Sequence, residues 1–289
     1  YIQKKIIMTC RIMNKPVVVA TQMLENFADH LIPNRSELND IALAVRQGAT
    51  GIMLSRETSG SEKPLSVINL AKKVIDYEIS KCPRHEIAFN SRFPIIAIEG
   101  IDGAGKTAVA TALAKSISGD YIATPPIEYN PLKSFFELPG RSSKARLLFY
   151  AGSLWDIWED ITERCKIRSV VLDRYTLSTL LYHEVLLKED LSNMYNIILP
   201  PCADITITLD VSEKTALIRL QEKATESFDT DLENDRSLQM HLGKKFKNYS
   251  QYIINTDLLT IDQVVNECIV VINNYINKNK SNSSSTVSK

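Results

Sequence analysis

Gly100-Ile-Asp-Gly-Ala-Gly-Lys-Thr107 fits the spacing G-x-x-x-x-G-K-[ST] at every fixed position. An apolar run, Phe93-Pro-Ile-Ile-Ala-Ile-Glu99, precedes it, and an Ala-rich stretch of helical character, Ala108 to Ser118, follows. That order of strand, loop and helix separates a phosphate-binding loop from a Gly-rich turn that carries an exposed lysine. Gly100, Gly103 and Gly105 let the backbone approach phosphate oxygens that a Cβ would obstruct. Successive N–H groups then form an anion nest at a helix N-terminus. Lys106 is placed to reach the β- and γ-phosphates, and the Thr107 hydroxyl to coordinate Mg²⁺. The stretch therefore implies ATP and Mg²⁺ as ligands.

Working outward, the strands and helices continue to alternate. Arg141 to Cys165 reads as one long helix, and Ser169-Val-Val-Leu172 as a strand that ends in Asp173-Arg174-Tyr175. Asp204 to Leu209 is a further strand, Ser212 to Lys223 a helix capped by Ser212, and Ala224 to Asn234 a polar segment suited to a lid. A short strand near Ile253-Ile254 and a helix from Ile261 to Tyr275 complete the pattern. Such alternation predicts a parallel sheet covered by helices on both faces.

The first part of the chain alternates in the same way over about 80 residues. Ile2 to Asn14, Glu37 to Gln47 and Pro64 to Ser80 read as helices, with Asn34 or Ser36 as the cap of the second. Pro16 to Ala20 and Gly51 to Leu54 read as buried parallel strands. Polar residues and turn formers at 81–93 read as a linker. The organisation is thus 1–80, a linker at 81–93, a second domain at 94–276, and a Ser-rich tail at 277–289 that is expected to be disordered.

Composition sets limits. The 289 residues carry 34 basic and 34 acidic side chains, 44% hydrophobic and 24% charged residues. A balanced charge argues against a general nucleic-acid or membrane-surface binder, since both need a basic excess. Cys10, Cys82, Cys165, Cys202 and Cys268 are dispersed with no C-x-x-C spacing, which points to free thiols in a reducing, cytoplasmic setting. No apolar run approaches the ~18 residues of a membrane span. The expected partners are small-molecule nucleotides, and a homodimer is the assembly to look for.

In parallel sheets of this kind, ligands bind at the carboxyl ends of the strands. The loop, Asp173-Arg174 and the polar segment should converge there. Phosphoryl transfer needs positive charge around the migrating group, a metal and an aligned acceptor. A guanidinium grips phosphate with two parallel hydrogen bonds, which suits Arg174 to an acceptor phosphate. Asp173 could position Mg²⁺ through water or hold a sugar hydroxyl. Asp102 adds a carboxylate between donor and acceptor.

Ile98-Glu-Gly-Ile-Asp-Gly-Ala-Gly-Lys-Thr107, Leu148-Phe149, Asp173-Arg-Tyr-Thr-Leu-Ser-Thr-Leu-Leu-Tyr182 and Leu209-Asp-Val211 together resemble thymidylate kinase and its relatives, over about 94 to 275. The resemblance implies a P-loop fold like that of nucleoside monophosphate kinases. It implies that Asp102, Arg174 and Tyr182 line the acceptor site and that Phe149 stacks on the base. Lys106 and Thr107 would hold ATP and Mg²⁺. The sequence departs from that pattern at three places. Thr124-Pro125-Pro126 stands where the family has Arg-Glu-Pro, and Ser153 where an arginine follows the stacking Phe. Neither the loop nor 224–234 carries the family's catalytic arginine, and Arg219, Lys223 and Arg236 are the nearest.

Ile2-Gln-Lys-Lys-Ile-Ile7, Lys15 to Glu25, Asn34 to Ile41 and Gly51 to Thr58 are similar to pyruvate kinase, over about residues 1–80. The resemblance implies the last quarter of a (β/α)₈ barrel, with Thr21 at the pyruvate end of a substrate and Arg35 and Ser55 on the active-site face. Arg56 and Asn34 replace that family's glycine and threonine. Its metal-binding carboxylates, potassium site and catalytic lysine would lie upstream. Two strands cannot close a barrel, so this piece alone is not expected to perform pyruvate kinase chemistry.

Three readings follow. The first is a nucleoside monophosphate kinase acting on dTMP or a related pyrimidine nucleotide. The second assigns a phosphoenolpyruvate-dependent activity to a longer parent chain. The third is an ATP-binding regulatory module with little catalysis.

Overall fold

The structure is a computed structural model and describes residues 2–12, 15–20, 22–81, 92–191, 198–223 and 236–284. Thr21, most of the expected linker and the expected lid at 224–234 lie outside these residues. The chain divides into two compact units, Tyr1–Ile87 and Ala88–Lys289.

The first unit runs α1 (Ile2–Ile12), β1 (Val18–Ala20), α2 (Glu25–His30), α3 (Arg35–Gln47), β2 (Gly51–Met53), α4 (Arg56–Ser59) and α5 (Pro64–Lys81). Asn34 is the N-cap of α3, and the Glu37 carboxylate accepts from its N–H at 3.2 Å. Glu37 stands three residues on from Asn34, the spacing a reciprocal cap requires, and this selects Asn34 over Ser36. β1 and β2 pair in parallel, Val19 opposite Ile52. They are not the buried strands that their β-branched composition predicts. Val18 is 58% and Met53 47% exposed, while Val19 and Ile52 pack partly buried against a hydrophobic cluster. That cluster gathers Met23, Leu24, Ile41, Val67 and Ala71.

The second unit contains β3 (Ile95–Glu99), α6 (Lys106–Ser116), β4 (Asp120–Ala123), α7 (Asn130–Glu137), α8 (Ser143–Asp156), α9 (Trp158–Arg164), β5 (Val170–Asp173), α10 (Thr176–Leu187), β6 (Ile205–Asp210), α11 (Glu213–Lys223), α12 (Arg236–Tyr249), β7 (Tyr252–Asn255) and α13 (Ile261–Ser284). The five strands are all parallel, in the order β4-β5-β3-β6-β7. The stretch expected as one helix from Arg141 is two, α8 and α9, parted at Ile157, which caps both. The last helix continues past Tyr275 to Ser284, so the expected tail at 277–289 is helical as far as it is described.

Because strand side chains alternate between faces, Ile96 and Ile98 of β3 join Val171, Ile205, Ile207 and Leu209 on one face. There they pack on Val109 and Leu113 of α6 and on Val265 and Cys268 of α13. Each such fully buried aliphatic side chain contributes about 1.5–3 kcal/mol. On the other face, the Glu99 carboxylate of β3 accepts hydrogen bonds from the Ser178 N–H (3.2 Å) and hydroxyl of α10. β3 is buried at all five positions, as a central strand covered on both faces must be. The order of the strands reverses beside β3, so a crevice opens at the carboxyl ends of β3 and β5.

Candidate active site

The loop between β3 and α6 opens into that crevice. Gly100, Gly103 and Gly105 have φ of 139°, 81° and 88°, in the region that favours glycine. A Cβ on Gly103 would lie 2.6 Å from Ala216 O, whereas one on Gly105 would meet no heavy atom within 4 Å. Gly105 therefore faces open space at the N-terminus of α6, a cradle that a side chain would fill. Lys106 starts α6 and is almost fully buried. Its Nζ donates to Ile101 O at 2.6 Å and lies 3.6 Å from Asp102 Oδ1. Burial and the neighbouring Arg174 push the Lys106 ammonium down to about 8, against the pull of Asp102, Asp173 and Glu99. An ammonium held this way gains most from a multivalent anion, so the loop fits a triphosphate.

Thr107 Oγ1 donates to Asp173 Oδ2 at 2.6 Å, and Tyr121 OH to the same oxygen at 3.3 Å. Among the described residues no group of three or more His, Cys, Asp or Glu side chains forms a metal cluster. One hydroxyl and one carboxylate beside a phosphate loop nevertheless suit Mg²⁺, which takes one or two carboxylates and completes its octahedron with phosphates and water.

Asp102, Arg174 and Tyr182 come together across three elements. Arg174 Nη2 pairs with Asp102 Oδ1, and Tyr182 OH donates to Asp102 Oδ2 at 2.8 Å. Arg174 Nη1 lies 3.4 Å from Tyr182 OH. Arg174 itself is left-handed at φ 67° and donates its N–H to Ile98 O at 3.0 Å. The positive φ turns its side chain back over the crevice, at a conformational cost that a non-glycine residue accepts only when its surroundings fix it. Burial pushes the Asp102 carboxyl up, but the Arg174 guanidinium and Lys106 ammonium outweigh it and hold the carboxyl well below the usual range. Burial raises the Tyr182 phenol well above its usual value, so it stays a donor.

Sequence reasoning missed a fourth member. Gln239, on α12, donates from Nε2 to Asp102 Oδ2 at 3.1 Å and accepts from the Asp102 N–H at 3.3 Å. It is 137 positions away, and no local pattern announces it.

A cleft extends from this cluster between α7, α8 and α10. It is lined by Asp102, Arg174 and Tyr182 at one end and by Glu137, Arg146, Tyr150 and His183 further along. Phe149, expected to stack on a base, is not in the lining. It stacks on Phe136, centroids 5.2 Å apart, while the next residue, Tyr150, faces the cleft. The offset is one residue on α8, about 100° of rotation, enough to exchange one helix face for another. Ser153, where an arginine was looked for, is buried and donates to Tyr150 O at 2.8 Å. His183 Nδ1 lies 2.7 Å from Thr179 O, so Nδ1 carries the proton and Nε2 a lone pair that has no partner among the described residues. Burial lowers this imidazole to about 4 and keeps it neutral.

Arg219, on α11, donates from Nη2 to Thr256 O at 2.7 Å and from Nη1 to Thr256 Oγ1 at 3.0 Å and to Gly103 O of the loop at 3.5 Å. The side chains of Lys223 and Arg236 lie outside the described residues. In the first unit Thr21 does too, while Arg35 and Ser55 are exposed. Cys10, Cys165, Cys202 and Cys268 are free thiols. Among the described residues no helix is long and apolar enough to cross a membrane.

Two protein families match the chain. The barrel domain of pyruvate kinase matches residues 1–68, and thymidylate kinase matches residues 98–268. Plastidial pyruvate kinase 3 of Arabidopsis thaliana is 49% identical over 73 residues, 25% of this chain and 13% of that protein. A pyruvate kinase of Agrobacterium vitis is 40% identical over 74 residues, 26% of this chain and 15% of that protein. The chain thus spans a small fraction of the length of the curated relatives it matches. Among solved structures, thymidylate kinase from Candida albicans superposes with a TM-score of 0.51 at 21% identity, covering 64% of this chain and 93% of that one. The first part of the chain is therefore similar to a segment of the pyruvate kinase barrel domain. With more than half of its residues matched from 98 to 268, the chain belongs to the thymidylate kinase family.

Proposed function

We propose that the second unit is a nucleoside monophosphate kinase that transfers the γ-phosphoryl of ATP to dTMP or a related pyrimidine (deoxy)nucleoside monophosphate. The observation that carries this reading is the pairing of Arg174 with Asp102, beside Lys106 and at the head of a cleft. A phosphate oxygen of the acceptor attacks the γ-phosphorus, the bond to the β–γ bridging oxygen breaks, and ADP leaves. Lys106 and the loop N–H groups hold the donor phosphates. Arg174 grips the acceptor phosphate, and Asp102 and Tyr182 fix the guanidinium so that little ordering remains to be done when substrate arrives. Mg²⁺ at Thr107 and Asp173 would neutralise charge on the phosphates.

One observation favours a second reading, an ATP-binding module that transfers little. Arg219 has both Nη atoms on backbone or hydroxyl oxygens of Thr256 and Gly103, and an arginine on the transferred charge is worth about 10³–10⁵ in rate. ADP formation, measured with and without each pyrimidine monophosphate and with Lys106→Ala as control, separates the two. Acceptor-dependent ADP above the control supports the kinase. ATP binding without it supports the module.

A further inference from the structure

We infer that Tyr121 is a positioning residue of the Mg²⁺ site, one that fixes the orientation of the Asp173 carboxylate. This rests on the reading of Thr107 and Asp173 proposed above. Tyr121 lies on β4, the edge strand that pairs with β5, and stands opposite Val171, while Ala123 stands opposite Asp173. Side chains two apart share a face of a sheet, so Tyr121, Val171 and Asp173 all point to the side on which α6 packs. Tyr121 and Asp173 are then diagonal neighbours, a separation that a long aromatic side chain can bridge. The phenol does so, and its OH donates to Asp173 Oδ2 at 3.3 Å.

Thr107 Oγ1 donates to the same oxygen at 2.6 Å, from α6. One hydrogen bond fixes a point, and the carboxylate torsion of Asp is broad, so Thr107 alone would leave the group free to pivot. A second donor from another element removes that freedom. Both donors meet Oδ2, and Oδ1 makes no hydrogen bond among the described residues. The carboxylate thus keeps one oxygen committed to the protein and the other open to a cation. The backbone of Asp173 is held as well, since its O accepts from the Thr124 N–H at 3.2 Å. The side-chain torsion is what remains for Tyr121 to fix. Hydrogen bonds of this kind orient a metal-binding carboxylate and tune its hold on the ion. A tyrosine that only closed the edge of the sheet would leave the metal indifferent to its hydroxyl.

The test is calorimetric binding of ATP, in Mg²⁺ and in EDTA, to the full 289-residue chain and to Tyr121→Phe, Asp173→Asn and the double variant. Mg²⁺ should tighten ATP binding by the unaltered chain. Tyr121→Phe, which keeps the ring and removes only the hydroxyl, should cut that gain about tenfold and leave binding in EDTA unchanged. In the double variant it should add little to the loss from Asp173→Asn, because both act through one carboxylate. An undiminished gain in Tyr121→Phe would overturn the inference, as would equal losses in Mg²⁺ and EDTA, additive losses in the double variant, or no gain from Mg²⁺ in the unaltered chain. A gain that depends on Tyr121, in a chain that transfers no phosphoryl group to any acceptor, would leave this inference standing and sink the kinase reading. Transfer to an acceptor, with a gain indifferent to Tyr121→Phe, would do the reverse.

Discussion

Thr107 Oγ1 and Asp173 Oδ2 stand 2.6 Å apart, joining the first turn of α6 to the carboxyl end of β5. The two residues are 66 positions apart in sequence, and their meeting places a hydroxyl and a carboxylate side by side at the start of α6. Asn in place of Asp173 keeps an oxygen for Thr107 and Tyr121 but removes the charge. Asp173→Asn should therefore melt within a few degrees of the unaltered protein while the Mg²⁺ concentration for half-maximal ADP formation rises at least about tenfold. An unchanged Mg²⁺ titration would remove Asp173 from the metal site.

Gly103 and Gly105 share nearly the same φ, 81° and 88°, but differ in what surrounds them. Alanine at Gly103 would collide with the Ala216 backbone, O at 2.6 Å and Cα at 2.9 Å, as well as being strained. Gly103→Ala should lose more than about 2 kcal/mol of stability. Gly105→Ala carries only the left-handed strain, about 1–2 kcal/mol, but places a methyl group where phosphate oxygens approach. Denaturant unfolding and ATP binding measured side by side should show Gly103→Ala as the less stable variant and Gly105→Ala as folded but unable to bind.

Lys106, with its ammonium lowered to about 8, should take up a proton when ATP binds near pH 8, because the triphosphate restores the charged form. Calorimetry in two buffers of different ionisation enthalpy would reveal a fractional proton uptake at pH 8 that disappears at pH 6.5. ATP affinity should fall as pH rises above about 8. Equal heats in both buffers at pH 8 would contradict this.

His183 is neutral and buried, with its imidazole lowered to about 4 from an ordinary 6.5. Between those values the unfolded chain binds the extra proton and the folded chain does not, so stability falls as pH drops below about 6.5 and levels off below about 4. The total is about 3 kcal/mol for this one group. His183→Gln should flatten the pH dependence of urea unfolding in that window. An unchanged slope would show that the imidazole protonates freely in the folded state.

What the sequence made legible is what local spacing encodes. The loop, its flanking strand and helix, and Asp173-Arg174 could all be placed because strand–loop–helix order fixes where their side chains emerge. β4 was not foreseen, since Asp120-Tyr-Ile-Ala123 is a short edge strand without alternation. The parting of α8 from α9 at Ile157 was invisible because the apolar period runs on through it. On α8 the sequence picks out Phe149, yet which ring faces the cleft depends on how the helix is rotated against α7 and α10, and Tyr150 lines it while Phe149 stacks on Phe136. Gln239 was missed for the same reason: its contacts with Asp102 exist only through tertiary packing.

Transfer of a phosphoryl group between two bound nucleotides leaves a label that can be followed. Incubation of the full chain with ATP labelled at the γ-phosphorus, Mg²⁺ and each pyrimidine monophosphate, followed by separation of the products, tests it directly. Label should appear in the β-position of a nucleoside diphosphate, lost in Lys106→Ala and reduced at least about a hundredfold in Arg174→Ala. Label that stays on ATP or appears only as inorganic phosphate, whatever the acceptor, would contradict it.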